Sequence, residues 1–444
     1  MDAAPQSPAL IEAAHGHVFT RADVADRTER WLGSIAAESL RGRRVAFALP
    51  NGLGWLTVFL GILRAGAVAV PLDPTEPAPS QHLLARHAGA TFLVHEHGIE
   101  PVDAGDSATV PAADDTHDLC LIKLTSGTTG MPRALAFTHA QMLADGEQVC
   151  RSMGISATDL NLAIVPFGHS YGLGNLVIPL LQQGTACVCV SAPLPHAIAA
   201  DLLRWRATVF PAVPALLRVL TVSDLPHDTF SSVRLVVSAG SPLTAEAARG
   251  FWEKYGRRVH GFYGSSETGG ITFDRTGDAT LEGRSVGIPL EGVQVTVGED
   301  QRFRVSSAAV FTHDNLERTA AGLGVHSPAD RAAFNALGEL VLLGRAGRMM
   351  KIAGRRLDLA ELETTLRQLP DIRDAYVAPH PERPEELAAI LATSLSLEEA
   401  RARLRSHLAP WKMPRRLSVL AEFPLTARGK PDTRALQALL GRGA

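Results

Sequence analysis

The chain has 444 residues, 46% hydrophobic and 20% charged, with 43 Lys and Arg against 46 Asp and Glu for a net charge of −3. That length exceeds what one hydrophobic core usually supports and predicts two or more domains, while the apolar content excludes a disordered chain. The near-neutral balance leaves no electrostatic footprint for nucleic acid or an anionic membrane surface.

The first stretch, MDAAPQSPALIEAAHGH, has no basic segment followed by an apolar one, so it does not read as a signal peptide. The most apolar window, WLTVFLGILRAGAVAVPL, carries Arg64 and Pro71 and is too short to span a bilayer, so a cytoplasmic protein without membrane insertion is expected. From Thr20 to Leu40, Val24, Trp31, Leu32, Ile35 and Leu40 recur at helical spacing, with Thr20 and Asp23 as a capping pair. RRVAFALP then reads as a buried strand, residues 52–63 as a helix and AVAVPLD as a second buried strand, the signature of a parallel crossover. The same pattern returns at LVVSAG, a helix over 244–255 and RRVHGFYG. The first three quarters are therefore α/β with mainly parallel sheets. Four cysteines do not make a disulfide scaffold, and Cys187 and Cys189 in ACVCV read as core thiols on one face of a strand.

The tail differs. DLAELETTLRQL places Leu359, Leu362, Leu366 and Leu369 in one stripe behind Asp358 and Glu361, and strands AYVAP and LAAILATS precede a capped helix over 396–408. A small α/β domain follows, with the boundary in GRAGR (344–348), giving domains 1–345 and 346–444.

One stretch breaks the pattern. Residues 121–139 read LIKLTSGTTGMPRALAFTH: an apolar strand gives way to six Ser, Thr and Gly residues, then Pro and Arg133. Ligands in parallel α/β proteins bind beyond the carboxyl ends of strands. Gly127 and Gly130 allow close backbone approach, and the hydroxyls and amides between them can cradle phosphate. The spacing fits neither the P-loop nor the dinucleotide fingerprint, and alone it equally describes a surface loop.

Further motifs decide between these. TSGTTGMPRA resembles the phosphate loop of the AMP-forming adenylate enzymes, a superfamily of acyl- and aryl-CoA synthetases, peptide-synthetase adenylation domains and luciferases. In family order, PFGHSYGL (166–173) resembles the acyl-pocket segment, YGSSETG (263–269) the YGxTE motif, and GRAGRMMKIAGRRLDLAELE (344–363) the hinge. PLTARGKPDTRAL (424–436) resembles the motif of the catalytic lysine, and VGIPLEGVQV (286–295) is a weaker match. The resemblance runs from about Val18 to the end and is closest in motifs to an acyl-CoA synthetase-like ligase.

The resemblance implies a large catalytic domain with a small mobile one, forming an acyl-adenylate from a carboxylate and ATP with release of pyrophosphate. The acyl group then passes to a phosphopantetheine thiol, that of CoA or of a carrier protein. Such chemistry drives one anion onto another, so charge neutralisation and alignment should carry most of the catalysis. Thr125, Ser126, Gly127, Thr128, Thr129, Gly130 and Arg133 match the phosphate site, with arginine in place of the usual lysine. Glu267, with Thr128, matches the Mg²⁺ site, where a hard cation wants oxygen ligands. Ser266 keeps a hydroxyl for the α-phosphate, and Tyr263 and Gly264 lie where adenine is expected. Lys430 matches the lysine that reaches both carboxylate and α-phosphate, a mobile point charge suited to charge that grows in the transition state.

Asp330, counted back from ELVLLGR, matches the aspartate for the ribose hydroxyls, although its Thr-Gly pair is replaced and a loop or helix-cap aspartate is the alternative. Arg345 matches the accompanying arginine, and Gly347 stands at the hinge where Asp or Lys is usual. Phe167 is followed by Gly168 and His169, without the aspartate that anchors an amino group, so His169, Tyr171, Gly172, Ala239, Gly240 and Ser241 point to a pocket for a fatty or aryl acid. RRLDLAELE leans instead towards carrier-loading enzymes. Besides that adenylation role, a degenerate adenylate-binding protein without turnover remains the reading from a different class.

Overall fold

In a computed structural model, the described residues are 5–35, 37–103, 118–125, 132–311, 317–345, 349–352, 354–367, 369, 371–424 and 432–441. The chain divides into two compact units. The larger comprises Met1–Pro74, Gln81–Leu124 and Ala134–Ala346; the smaller comprises Thr75–Ser80, Thr125–Arg133 and Gly347–Ala444.

The nine-stranded sheet of the larger unit is parallel through its centre. Strands Val259–Ser265, Leu235–Ser238, Val209–Ala212, Leu160–Ala163, Ala186–Cys189 and Pro8–Glu12 lie side by side in that order, and antiparallel strands flank them at both edges. The strands are apolar because both faces are covered: Leu235–Ser238 and Val209–Ala212 are buried at every position. A six-stranded sheet has strands Arg44–Phe47, Val68–Pro71 and Phe92–His95 running parallel, with Leu119–Thr125 and Arg133–Thr138 at one side. The crossover read from RRVAFALP to AVAVPLD is present, its helix spanning Leu53–Arg64.

The first helix is shorter than its periodicity suggests. It spans Arg21–Ser34, and Thr20 and Asp23 form both arms of a capping box. Gly33 and Ser34 are weak helix formers, Ile35 turns extended, and a separate 3₁₀ turn, Ala37–Leu40, brings Leu40 into the core.

A second difference lies between residues 266 and 338, where the sequence reading assigned no elements. That region is antiparallel: Gln294–Val297, Phe303–Ser307 and Gly324–His326 form one small sheet, and Asp330–Phe334 pairs with Leu340–Arg345. Phe303, Val305 and Ser307 are buried while Arg304 is exposed, the alternation of a sheet with one wet face. Such short half-polar runs carry too little periodicity to stand out from turns.

In the smaller unit, Ile372–Pro379, Leu387–Thr393 and Arg416–Leu420 form a three-stranded sheet. Helix Leu359–Arg367 buries Leu359, Leu362 and Leu366 with Leu369 beyond it, as the leucine stripe predicts. Helix Leu397–His407 has a capping box from Ser396 and Glu399. All four cysteines are free and buried, with Cys187 and Cys189 on one strand in a shared core cluster. Burial pushes the Cys187 thiol up to about 12. Among the described residues no helix is long and apolar enough to cross a membrane.

Candidate active site

The parallel centre of the nine-stranded sheet puts the carboxyl ends of its strands along one edge. Leu160–Ala163 runs out into Pro166–Gly172, Leu235–Ser238 into Ala239, Gly240 and Ser241, and Val259–Ser265 into Ser266 and Glu267. Three of the sequence-predicted segments, far apart in the chain, therefore converge by topology alone.

The segment Pro166–Gly172 is held by side chains and by close packing. Asn51 donates to the carbonyls of Val165 at 2.8 Å and Ala163 at 3.3 Å and accepts from the Phe167 N–H at 2.7 Å, pinning the chain as it leaves the strand. His169 then stands at the N-cap position of the short helix Ser170–Gly172, without a capping hydrogen bond from its side chain. A side chain at Gly172 would run into the Pro166 carbonyl, so only glycine lets this turn close. Tyr171 is buried; its hydroxyl donates to the Val237 carbonyl at 3.0 Å on the strand Leu235–Ser238, and burial raises its pKa. Ala239 is buried, Gly240 has φ +93°, and Ser241 is half-buried.

Ser266 and Glu267 occupy the turn between strands Val259–Ser265 and Gly269–Phe273. The Ser266 and Ser170 hydroxyls are 3.1 Å apart, joining this turn to the acyl segment. Glu267 is 7% exposed, and its backbone carbonyl accepts from the Phe311 N–H at 2.9 Å. Tyr263 donates from its hydroxyl to Asp330 at 2.7 Å, and Asp330 stands opposite Arg345 in the register of their two strands. Asp330 is thus the first residue of a strand rather than a helix cap, in contact with another residue read for the nucleotide. A Cβ at Gly264 would meet the Gly269 carbonyl at 2.6 Å, so the hairpin needs glycine there too.

Thr125 ends its strand buried, and Arg133 begins the next strand exposed. Ser126, Gly127, Thr128, Thr129, Gly130, Gly347 and Lys430 lie outside the described residues.

Sequence reasoning missed two features here. Asn51 reads as a loop residue in LPNG, and its role depends on carbonyls more than a hundred positions away. Lys123 and Asp145 are buried charges beside the site. Lys123 interrupts an otherwise apolar strand, LIKLT, and that interruption was the available signal.

Two family models match the chain, the AMP-binding enzyme model over residues 1–307 and the AMP-binding enzyme C-terminal domain over residues 361–430. The chain belongs to the AMP-binding enzymes. This AMP-binding enzyme is 28% identical over 470 residues to a feruloyl-CoA synthase of an Amycolatopsis species, covering 96% of this chain and 95% of that protein. It is 24% identical over 489 residues to tyrocidine synthase 3 of Brevibacillus parabrevis, covering 98% of this chain and 7% of that much longer one. Its fold superposes with a TM-score of 0.81 on a double mutant of o-succinylbenzoate-CoA synthetase from Bacillus subtilis, at 21% identity over 98% of this chain and 96% of that one. The amide bond synthetase of Marinactinospora thermotolerans gives 0.81 at 22% identity over 97% of each chain.

Proposed function

We propose that this enzyme is an ATP-dependent acid–thiol ligase acting on a fatty or aryl carboxylic acid, with CoA as acceptor. In the first step a carboxylate oxygen attacks the α-phosphorus of ATP, the bond to the bridging oxygen breaks, and pyrophosphate leaves. In the second, the thiolate sulfur of CoA attacks the acyl carbon and AMP leaves. The observation that carries this reading is the 3.1 Å approach of Ser170 to Ser266, which brings the acyl segment against the turn read for the α-phosphate. Two substrates that must react with each other would be held by adjacent backbone.

The residues take roles that suit their surroundings. His169, at the head of the helix Ser170–Gly172, would face the acid's carboxylate. Tyr263 and Asp330, already hydrogen-bonded, would receive the nucleoside. Ser126–Gly130 and Arg133 would hold the β- and γ-phosphates, with Lys430 neutralising the charge that grows between carboxylate and α-phosphate. Glu267, a buried carboxylate at the strand end, offers the hard oxygen donor that Mg²⁺ requires, with Thr128 beside it in the reading. When bound, Mg²⁺ would supply positive charge against the phosphate oxygens. Gly347 would serve as the hinge between domains 1–345 and 346–444, rotating Lys430 away between the two steps.

Gly168 supports this acid class: it stands without the carboxylate that would anchor an amino group, and a Cβ there would lie 3.1 Å from Pro71 Cβ and 3.9 Å from Trp55 Nε1. The likeness to a feruloyl-CoA synthase supports an aryl acid. Loading of a carrier protein is the second reading, favoured by the likeness to tyrocidine synthase 3 and by RRLDLAELE.

The test is pyrophosphate release with ATP and Mg²⁺ across fatty, aryl and amino acids, with hydroxylamine to trap adenylates. Release confined to fatty or aryl acids and lost by about a thousandfold or more in Lys430→Ala is the expected result. Silence with every acid while ATP still binds would replace the ligase with a non-turnover adenylate binder. Thioester formation with CoA rather than with a phosphopantetheinylated carrier separates the two acceptors.

A further inference from the structure

Behind the turn that carries Glu267 sits a buried charge that none of the motifs contains. Asp145 lies inside the helix His139–Met153 and is 4% exposed. Its Oδ1 accepts from the Gly270 N–H at 2.9 Å, which ties the helix to the strand leaving the Glu267 turn. The neighbouring Gly269 has φ +71°, and a Cβ built on it would run into that same Oδ1. On the other side, a Cβ on Gly174 would stand 2.8 Å from Oδ2. Gly174 belongs to the π-helical segment Leu173–Val177, which continues directly from Ser170–Gly172. One carboxylate is thus wedged between the two pieces of backbone that meet at Ser170 and Ser266.

A buried positive charge acts on it from Lys123, also 4% exposed, with Nζ 4.2 Å from the centre of the Phe137 ring. Burial drives the lysine's pKa down, while the charges of Asp145 and Glu267 act to hold the ammonium. Burial likewise drives Asp145 up, against the pull of Lys123 and the Gly270 amide. Placing ionisable groups in the interior is unfavourable, and a purely structural contact could be built from apolar side chains without that penalty.

We infer that Asp145 is a positioning residue that sets the Glu267 turn against the acyl segment and so fixes where Glu267 presents its oxygens. The inference rests on the reading of Glu267 as the Mg²⁺-side carboxylate. Asp145 touches neither substrate; it acts through the Gly270 amide and through the packing of Gly174 and Gly269. Removing its carboxylate frees the turn to shift, and Glu267 then meets the metal–nucleotide complex in a spread of positions.

The experiment measures ATP affinity by titration calorimetry, with Mg²⁺ and with EDTA, on the full chain. The ratio of the two affinities is the Mg²⁺-dependent gain. In Asp145→Ala the gain is expected to fall about tenfold while affinity in EDTA stays at the wild-type value. In Asp145→Asn, which keeps an acceptor for Gly270, the loss is expected to be about threefold, a partial rescue that mere destabilisation would not give. Glu267→Gln is measured beside them. A wild-type gain in Glu267→Gln would overturn the reading of Glu267 and this inference with it. A reduced gain in Glu267→Gln together with a wild-type gain in Asp145→Ala would overturn the inference alone. Should Asp145→Ala not fold, Asp145→Asn and Gly269→Ala decide: a reduced gain in both upholds the positioning role, and a wild-type gain in both rejects it.

Discussion

The two ends of the nine-stranded sheet treat a buried aspartate in opposite ways. At the amino-terminal edge, Asp159, Thr208 and Arg234 each directly precede a parallel strand. Asp159 accepts from Arg234 Nε at 2.7 Å and Nη2 at 2.6 Å, from Thr208 Oγ1 at 2.8 Å and from the Ser156 N–H at 3.0 Å. Burial works to raise its pKa, yet these partners overcome it and hold the carboxyl below its ordinary value. Toward the carboxyl-terminal edge, Asp145 has the Gly270 amide, and there burial prevails and the pKa rises. A carboxylate with every lone pair engaged is a fastener. One with fewer donors, with a buried lysine acting on it, fits the positioning role inferred above.

This contrast can be broken most forcefully at Arg234. Arg234→Ala strips a buried carboxylate of its bidentate partner, and with the guanidinium half-exposed a loss of about 2 kcal/mol is expected. It should appear in urea unfolding as a lower midpoint at unchanged slope, with pyrophosphate release per folded molecule unaltered. Because the folded Asp159 carboxyl titrates below its ordinary 3.8, its contribution is complete above that pH and is lost as acid takes the pH down through the folded value. The gap between wild type and variant should therefore close below about pH 4. A drop in turnover at neutral pH would erase the division of labour between the two edges.

At the other edge, Gly172→Ala should act on catalysis. The new methyl displaces the helix Ser170–Gly172 from Pro166, and kcat/KM for the acid is expected to fall about tenfold, roughly 1.4 kcal/mol, with ATP affinity retained. Equal losses for acid and ATP would mean that the two segments are not separable. The smallest effect is expected from Ser170→Ala, which removes one neutral hydrogen bond to Ser266 and should lower kcat about threefold, near 0.7 kcal/mol. An unchanged kcat would leave the Ser170–Ser266 approach as packing.

The candidate site was legible in the sequence where its residues form a run of neighbours. TSGTTG, PFGHSYGL and YGSSETG are local, and the structure brings the last two to the same sheet edge. Asp330 was found by counting back from an apolar strand, and its contact with Tyr263 was not readable because the partners stand 67 positions apart. Asp145 and Asp159 look alike in the sequence, an acid in ADGE and another in ATDL. Their difference comes from Gly270, Thr208 and Arg234, contacts that only the completed sheet creates. The antiparallel strands from 294 to 334 escaped for a related reason: they are short, half-polar, and stabilised by pairing rather than by their own patterning.

The burial of the four cysteines has a chemical consequence for an enzyme that makes acyl-adenylates. A mixed anhydride of this kind acylates whatever thiolate reaches it. Cys120, Cys150 and Cys187 are each pushed up to about 12 by burial, and Cys189 is raised well above its ordinary value. None presents a thiolate near neutral pH. No cysteine of this chain offers the acyl group a thiolate at that pH, so the sulfur that collects it is one brought in by the acceptor.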